Sequence, residues 1–201
     1  MRIVVTYKWT CDPEEATVRG DGTVDWSRAK PGISTYDPVA LELARRLADA
    51  AGAELIGLTA GGMGVGTPIA TKAALSRGLD RVVIIEDESL RDAGRSDLAA
   101  VLAAAVRRIG DVDLIITGDS SVDVAAKMVP TVLAGELGWP AVAEVTAVSG
   151  QAGALRVVDR TITVGNLARA LNALGVSPRD LISIFQTLKG AGALHADLII
   201  Q

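Results

Sequence analysis

The sequence predicts an α/β protein: a doubly wound, mostly parallel sheet covered by helices, with a helical appendage at the C-terminus. Three observations carry this expectation. Strand-like and helix-like patterns alternate through four successive β-α units between Arg2 and about Leu137, and strands separated by helices pair in parallel through right-handed crossovers. The segments Val82-Val83-Ile84-Ile85 and Leu114-Ile115-Ile116-Thr117 are apolar at successive positions, as a sheet covered on both faces requires. Helix starts are marked by cap chemistry at Asp37-Pro38, Thr67-Pro68 and Ser96.

Taken in order, residues 2–8 form a β-branched run and the first strand. A long polar loop then passes Asp12-Pro13, Gly20 and Gly22. Asp37 as cap and Pro38 at the first helical position open an amphipathic helix to about Ala51. Glu54 to Thr59 is the second strand, followed by the glycine loop Gly61 to Gly66 and a helix from Thr67-Pro68 to near Gly78. Arg81 to Glu86 is the third strand, Ser96 to Arg108 the next helix, and Asp113 to Thr117 the fourth strand. The turn Gly118-Asp119-Ser120-Ser121 is expected to open straight into a helix ending near Leu137. Two late strands meet at a turn over Gly150 to Gly153.

Composition narrows the class. At 201 residues, with 49% hydrophobic and 22% charged residues and a net charge of −4, the chain is globular rather than disordered. It lacks the basic stripe of a nucleic-acid binder. No apolar run reaches the ~18 residues a membrane span needs, so neither nucleic acid nor membrane insertion is expected, and a cytoplasmic location is. The single cysteine, Cys11, excludes an intramolecular disulfide framework, and its one candidate partner, His195, is far away in sequence.

In doubly wound sheets the ligand crevice lies outside the carboxyl ends of the strands, where strand order reverses. That rule selects the loops Lys8 to Thr10, Ala60 to Gly66 and Gly118 to Met128. The last is the centre of the functional case, because backbone N–H groups and the positive end of a helix dipole converge there on an anion.

Four landmarks carry a resemblance: I-V-V-T-Y-K-W-T at residues 3–10, K-P-G-I-S-T-Y-D-P-V-A-L-E-L-A at 30–44, K-A-A-L-S-R-G-L-D-R at 72–81, and D-L-I-I-T-G-D-S-S-V-D through L-G-W-P at 113–140. Up to about Arg160 the chain resembles the β subunit of electron transfer flavoproteins, most closely the branch associated with carnitine metabolism and nitrogen fixation. The resemblance implies a fold of the adenine-nucleotide α-hydrolase type, a bound AMP or FAD, and a heterodimer with a flavin-carrying α subunit. It also implies electrons arriving from an acyl-CoA-type dehydrogenase and leaving to a quinone reductase or ferredoxin, with no bond-making chemistry in this chain.

The contacts the resemblance implies fall on Thr6, on Ser34, Thr35, Tyr36 and Asp37, on Ala60, and on Ser121 to Val132, including Asp123, Lys127, Met128 and Val129. Gly118 and Ser120 complete the candidate set. On their own chemistry, Thr6 and Ala60 are small enough to let an adenosine approach the sheet edge, and Ser120 and Ser121 offer hydroxyls. Asp123 either hydrogen-bonds a ribose or caps the helix. Lys127 is either a point charge for a phosphate or a solvated helix lysine. Lys127-Met128-Val129-Pro130 stands where many relatives have an Asn-Gln-Thr-Gly-like phosphate segment, and Val124 and Ala125 replace acidic or glycine positions.

After Arg160 the expected recognition loop and Lys-rich tail are absent, and residues 161–201 are instead similar to the C-terminal segment of the bacterial flagellar P-ring protein. Bottom-up, Thr163 caps a helix to Gly175, Ser177-Pro178 starts another to near Gly190, and a short strand closes the chain. Two domains are expected, 1–160 and 161–201. The alternative reading is a non-redox nucleotide-binding or chimeric α/β module with an assembly tail. Gly61 to Gly66 follows the second strand rather than the first, so it does not complete a dinucleotide fingerprint. His195 has no second ligand at metal spacing. Trp9 and Trp139 read as packing residues, with Trp9 within reach of a bound ring.

Overall fold

The computed structural model of the chain describes residues 1–151 and 154–159, and beyond them Ser177, Asp180, Ser183, Ile184, Gln186 and Thr187. The chain divides into two compact units, Met1–Asp159 and Arg160–Gln201. The helix expected after Thr163, the closing strand and His195 lie outside the described residues. At the start of the other expected C-terminal helix, the Ser177 hydroxyl accepts the Asp180 N–H at 3.3 Å, as a capping serine does.

The first unit runs β1 (Arg2–Thr6), β2 (Trp9–Cys11), β3 (Thr17–Val18), β4 (Val24–Asp25), β5 (Pro31–Ile33), α1 (Asp37–Ala51), β6 (Glu54–Gly61), α2 (Pro68–Leu75), β7 (Arg81–Glu86), α3 (Arg95–Ile109), β8 (Leu114–Ile116), α4 (Val129–Leu137), β9 (Val145–Gln151) and β10 (Ala154–Asp159). Its central sheet has the order β7-β6-β1-β8. Every pairing in it is parallel. The fold is thus the expected doubly wound α/β type, and the strand order reverses between β1 and β8.

Alternation along the strands separates the two cores. Ile3, Val5 and Leu55 pack with Leu41, Ala44 and Leu47 of α1 and Ala74 of α2 on one face. Val4, Ile56 and Leu58 pack with Leu102, Ala103 and Val106 of α3 and Leu133 of α4 on the other. Each such aliphatic side chain contributes about 1.5–3 kcal/mol on full burial, which is why a two-residue period within an all-apolar strand suffices to specify both layers. Val148 of β9 and Leu155 of β10 add to the α1 side. These two strands, expected from the sequence, form an antiparallel pair.

The amino ends of the strands close on themselves. Glu54 accepts from Arg2 Nε at 2.6 Å and from Arg81 Nε at 2.7 Å, while the Arg2 N–H donates to Asp113 at 2.7 Å. Fully employed in holding strands together, these charges leave the carboxyl ends as the place for a ligand.

Several expectations need correction. β1 stops at Thr6, not Lys8, because the Lys8 N–H leaves the ladder and donates to the Asp37 carboxylate at 2.7 Å. Asp37 does not cap α1: Tyr36 holds the cap position without a side-chain bond, and Asp37 is the helix's first residue. Gly94, rather than Ser96, precedes α3. Thr67 does cap α2, accepting from Ala70 N–H at 3.3 Å, although the helix ends at Leu75. The long polar loop contains two small antiparallel pairings, β2 with β5 and β3 with β4.

The largest correction concerns the turn after β8. It does not open into a helix: residues 117–128 are irregular, and α4 begins only at Val129. One turn does form, closed by Ala125 N–H to Ser121 O at 2.9 Å. It is then terminated by left-handed backbone at Ala125 (φ 53°) and Lys127 (φ 52°). Non-glycine residues rarely adopt this conformation, and it concentrates at functional sites.

Candidate functional site

The reversal of strand order places a crevice over the carboxyl ends of β1 and β8. It forms an open cleft of about 1340 Å³. Its walls are Thr6 and Lys8–Cys11 after β1, Ala60–Val65 after β6, and Thr117–Ser121 with Asp123, Lys127 and Met128 after β8.

Two buried polar residues just before and at the start of α1 hold these walls together. The Ser34 hydroxyl accepts the Val122 N–H at 3.1 Å, and the Ser34 N–H donates to Lys8 O at 2.9 Å. Asp37, 5% exposed, takes the Lys8 N–H on one carboxylate oxygen. Its other oxygen lies so close to Gly118 that a Cβ there would come within 2.2 Å. Only glycine allows that approach. Burial pushes the Asp37 carboxyl up to about 6, with the N–H and charge of Lys8 working in the opposite direction.

The loops after β1 and β8 also meet directly. Asp123 accepts from Lys8 Nζ at 2.6 Å and from the Thr10 hydroxyl at 3.1 Å. Burial works against its charged form, but Lys8, Ser121 and Thr10 outweigh it and hold its carboxyl below the usual range. Asp123 therefore neither caps a helix nor stands free. Lys127 pairs with Asp119 at 2.7 Å; that bond and the charge of Asp119 raise its ammonium above the ordinary lysine value. It is a loop residue rather than a helix lysine.

Ser120 is different. Its hydroxyl is buried, lines the cleft and has no hydrogen-bond partner among the described residues. A buried hydroxyl without a partner costs about 1–3 kcal/mol; the Tyr7 hydroxyl, also on the cleft lining, is buried without a partner too.

The glycine loop after β6 is satisfied from within. The Gly64 N–H donates to Glu86 at 2.7 Å and the Met63 N–H to Glu88 at 3.2 Å. Glu86 also fills the space beside Gly66, where a Cβ would stand 2.2 Å from its carboxylate. Carboxylates thus occupy the position a phosphate takes in a dinucleotide-binding loop.

Of the candidate residues, Thr6, Asp37, Ala60, Gly118, Ser120, Ser121, Asp123, Lys127, Met128 and Val129 line the cleft. Ser34 sits behind the wall, and Thr35 and Tyr36 do not line it. Lys8 and Thr10, in a loop the switch-point rule selected, line it too, and the structure adds Trp26 and Lys30 from the long loop and Arg91 and Arg95 ahead of or at the start of α3. Sequence reasoning missed the two arginines because β7 was outside the loops selected by the switch-point rule. A basic pair flanking Gly94 was the available signal. The cleft holds five cations, Lys8, Lys30, Arg91, Arg95 and Lys127, against four carboxylates, Asp37, Asp92, Asp119 and Asp123, whereas the whole chain carries −4. Three of the five are paired with carboxylates: Lys8 with Asp123, Lys127 with Asp119 and Arg91 with Glu88.

Residues 21–174 match the family described as electron transfer flavoprotein domain. The chain belongs to the electron transfer flavoprotein family. The match includes the loops after β6 and β8 and the start of α1; Thr6 and Lys8 precede it. It continues to residue 174, past Arg160, where the resemblance was expected to stop. The family is flavoprotein-related, which is compatible with FAD or AMP as ligand. The residues that fit the phosphate end of such a ligand are the Ser120 hydroxyl, unpartnered among the described residues, and the cleft-lining Lys30 and Arg95. No helix among the described residues is long and apolar enough to cross a membrane.

Proposed function

We propose that this chain is the β-type subunit of an electron transfer flavoprotein, holding AMP in the switch-point cleft and pairing with a flavin-carrying α subunit. In that heterodimer it serves transfer of electrons from an acyl-CoA-type dehydrogenase toward the respiratory chain or ferredoxin, and is itself no enzyme. Family membership supports the redox setting. The observation that carries the nucleotide reading is the buried, unpartnered Ser120 hydroxyl at the reversal of strand order.

In this reading Thr6 and Ala60 leave room for the adenosine, Trp9 flanks the base, and Ser120 and Ser121 donate to the phosphate. Lys8 and Lys127 contribute positive charge while keeping their carboxylate partners, so the loops are pre-shaped before the ligand arrives. AMP supplies no redox chemistry; bound, it stabilises the folded state by mass action.

FAD is the second reading, favoured by the size of the cleft: about 1340 Å³ exceeds the ~300–1,000 Å³ typical of small-ligand pockets. When bound, FAD supplies reversible electron chemistry. Under this reading Arg91 and Arg95 flank the far end of the ligand.

The test is release of bound ligand by heat from protein purified with and without an α subunit, followed by absorbance spectra. Adenine absorbance alone supports AMP, and flavin absorbance supports FAD. Protein that carries neither, takes up neither on titration and never associates with an α subunit refutes the proposal.

A further inference from the structure

We infer that Asp37 is a proton-linked gate of the cleft: ionised, it clasps the segments after β1 and β8 and opposes an anionic ligand; protonated, it admits one more readily. The inference rests on the nucleotide reading of the cleft and names a regulation of that same site.

The geometry is specific to this residue. Asp37 is the first residue of α1, buried to 5% exposure, and it lines the cleft. One carboxylate oxygen accepts the Lys8 N–H at 2.7 Å. The other lies against Gly118, the second residue of the loop that carries Ser120 and Ser121. An anion held by that loop therefore lies close to the buried charge.

The ionisable groups around Asp37 do not neutralise it. From the β1 side, Lys8 supplies attraction, yet its ammonium is committed to Asp123 at 2.6 Å. Tyr7 on the same segment is buried and kept neutral, its hydroxyl pushed up to about 12. From the β8 side, Asp119 and Lys127 pair with each other and Asp123 with Lys8. Within α1 the nearest charge, Glu42, pairs with Arg46. Burial thus dominates, and the carboxyl titrates at about 6, inside the range a cell can traverse. Asp123, by contrast, is held below the usual carboxylate range by Lys8, Ser121 and Thr10 and stays ionised.

Protonation weakens the clasp without removing it, because a neutral carboxyl still accepts an N–H bond. It removes one of the cleft's four negative charges altogether. At the few ångströms separating Asp37 from the Gly118 loop, removal of a like charge outweighs the halving of one hydrogen bond. A bound anion, in turn, promotes proton uptake by Asp37.

The experiment measures AMP affinity by titration calorimetry from pH 5 to pH 8 in the wild-type chain and in Asp37→Asn. The phosphate of AMP titrates near pH ~6 in both, so the ratio of the two dissociation constants isolates Asp37. The ratio, wild type over variant, is expected near 1 at pH 5 and about tenfold at pH 8. A ratio independent of pH overturns the gate and leaves the nucleotide reading standing. Absence of AMP binding by either protein at every pH overturns both. Should Asp37→Asn fail to fold, adenosine 5′-sulfate, whose charge is constant over this range, replaces the comparison: wild type is expected to bind it about tenfold more tightly at pH 5 than at pH 8, and constant affinity overturns the gate.

Discussion

Asp37→Asn gives a prediction that needs no ligand. In the folded state the Asp37 carboxyl titrates at about 6, against an unperturbed 3.8. A shift of this size corresponds to about 3 kcal/mol. Because the folded pKa is the higher one, the folded state binds the proton more tightly than the unfolded state. Stability contributed by this group is therefore present below about pH 4 and lost as pH rises to about 6, with ionised Asp37 carrying the full penalty at pH 7 and above. Asparagine carries no such penalty at any pH. Its neutral amide oxygen accepts the Lys8 N–H much as a protonated carboxyl does, and the upward shift is already net of the bond to the ionised form. The expectation at pH 7.5 is a variant more stable than wild type by about 3 kcal/mol, or roughly 6–12 °C in Tm for a unit of this size. At pH 4, where wild-type Asp37 is itself protonated, the two proteins are expected to be about equally stable. Urea unfolding at the two pH values, read as the difference between the proteins, cancels all other titrating groups. A difference with the same sign and size at both pH values, or a variant less stable at pH 7.5, refutes the assigned environment of Asp37.

Three further outcomes follow from the cleft. Ser120→Ala removes an unpartnered buried hydroxyl and so leaves stability unchanged or raises it by up to ~1 kcal/mol, while AMP affinity falls about five- to tenfold; a loss of stability with unchanged affinity counts against the phosphate role. Gly118→Ala would set a Cβ 2.2 Å from the Asp37 carboxylate and is expected to cost about 1–3 kcal/mol in urea unfolding, with AMP binding lost as the loop is displaced. Ala125→Gly relieves left-handed strain at φ 53°, worth about 1–2 kcal/mol, against ~0.5–1 kcal/mol of added unfolded-state entropy, so a small net gain in unfolding free energy is expected and destabilisation would contradict the backbone assigned there.

The sheet was legible where burial alone dictates the pattern. β7 falls on the expected residues, Arg81–Glu86, because a β-branched run of that length with charged ends fits one strand covered on both faces. Thr67-Pro68 was legible as a helix start because both the hydroxyl and the missing N–H act locally. Asp37-Pro38 has the same local signature and means something else. Whether an aspartate caps its own helix or reaches a neighbouring strand depends on Lys8, 29 residues away in sequence. The loop after β8 misled for a related reason: capping was one of two readings for Asp123, but Asp123 turns to Lys8 and Thr10. The two left-handed residues that postpone α4 are alanine and lysine, with neither glycine nor asparagine to announce them. Nor could strand order be read from the chain, since pairing of β8 beside β1 is a contact across more than a hundred residues. The candidate site was consequently found by the topological rule rather than by its own motif.

The arrangement explains why one loop among several at the same sheet edge is the candidate for a phosphate. Each of the others has its polar groups answered by a carboxylate of the chain: the glycine loop after β6 by Glu86 and Glu88, the turn after β1 by Asp37. A carboxylate that fills a nest of N–H groups excludes a phosphate from it by charge and by volume. The loop after β8 is held from outside, through Ser34 to the Val122 N–H and through Lys8 to Asp123, and so keeps its shape without using the Ser120 hydroxyl. Delaying α4 to Val129 is part of the same device. A helix begun at Ser121 would draw these residues into its own first turn, whereas the irregular segment leaves them facing the cleft, at the cost of left-handed backbone at Ala125 and Lys127. Left-handed backbone and an unpartnered buried hydroxyl occur together here, at the reversal of strand order, where a doubly wound sheet binds its ligand.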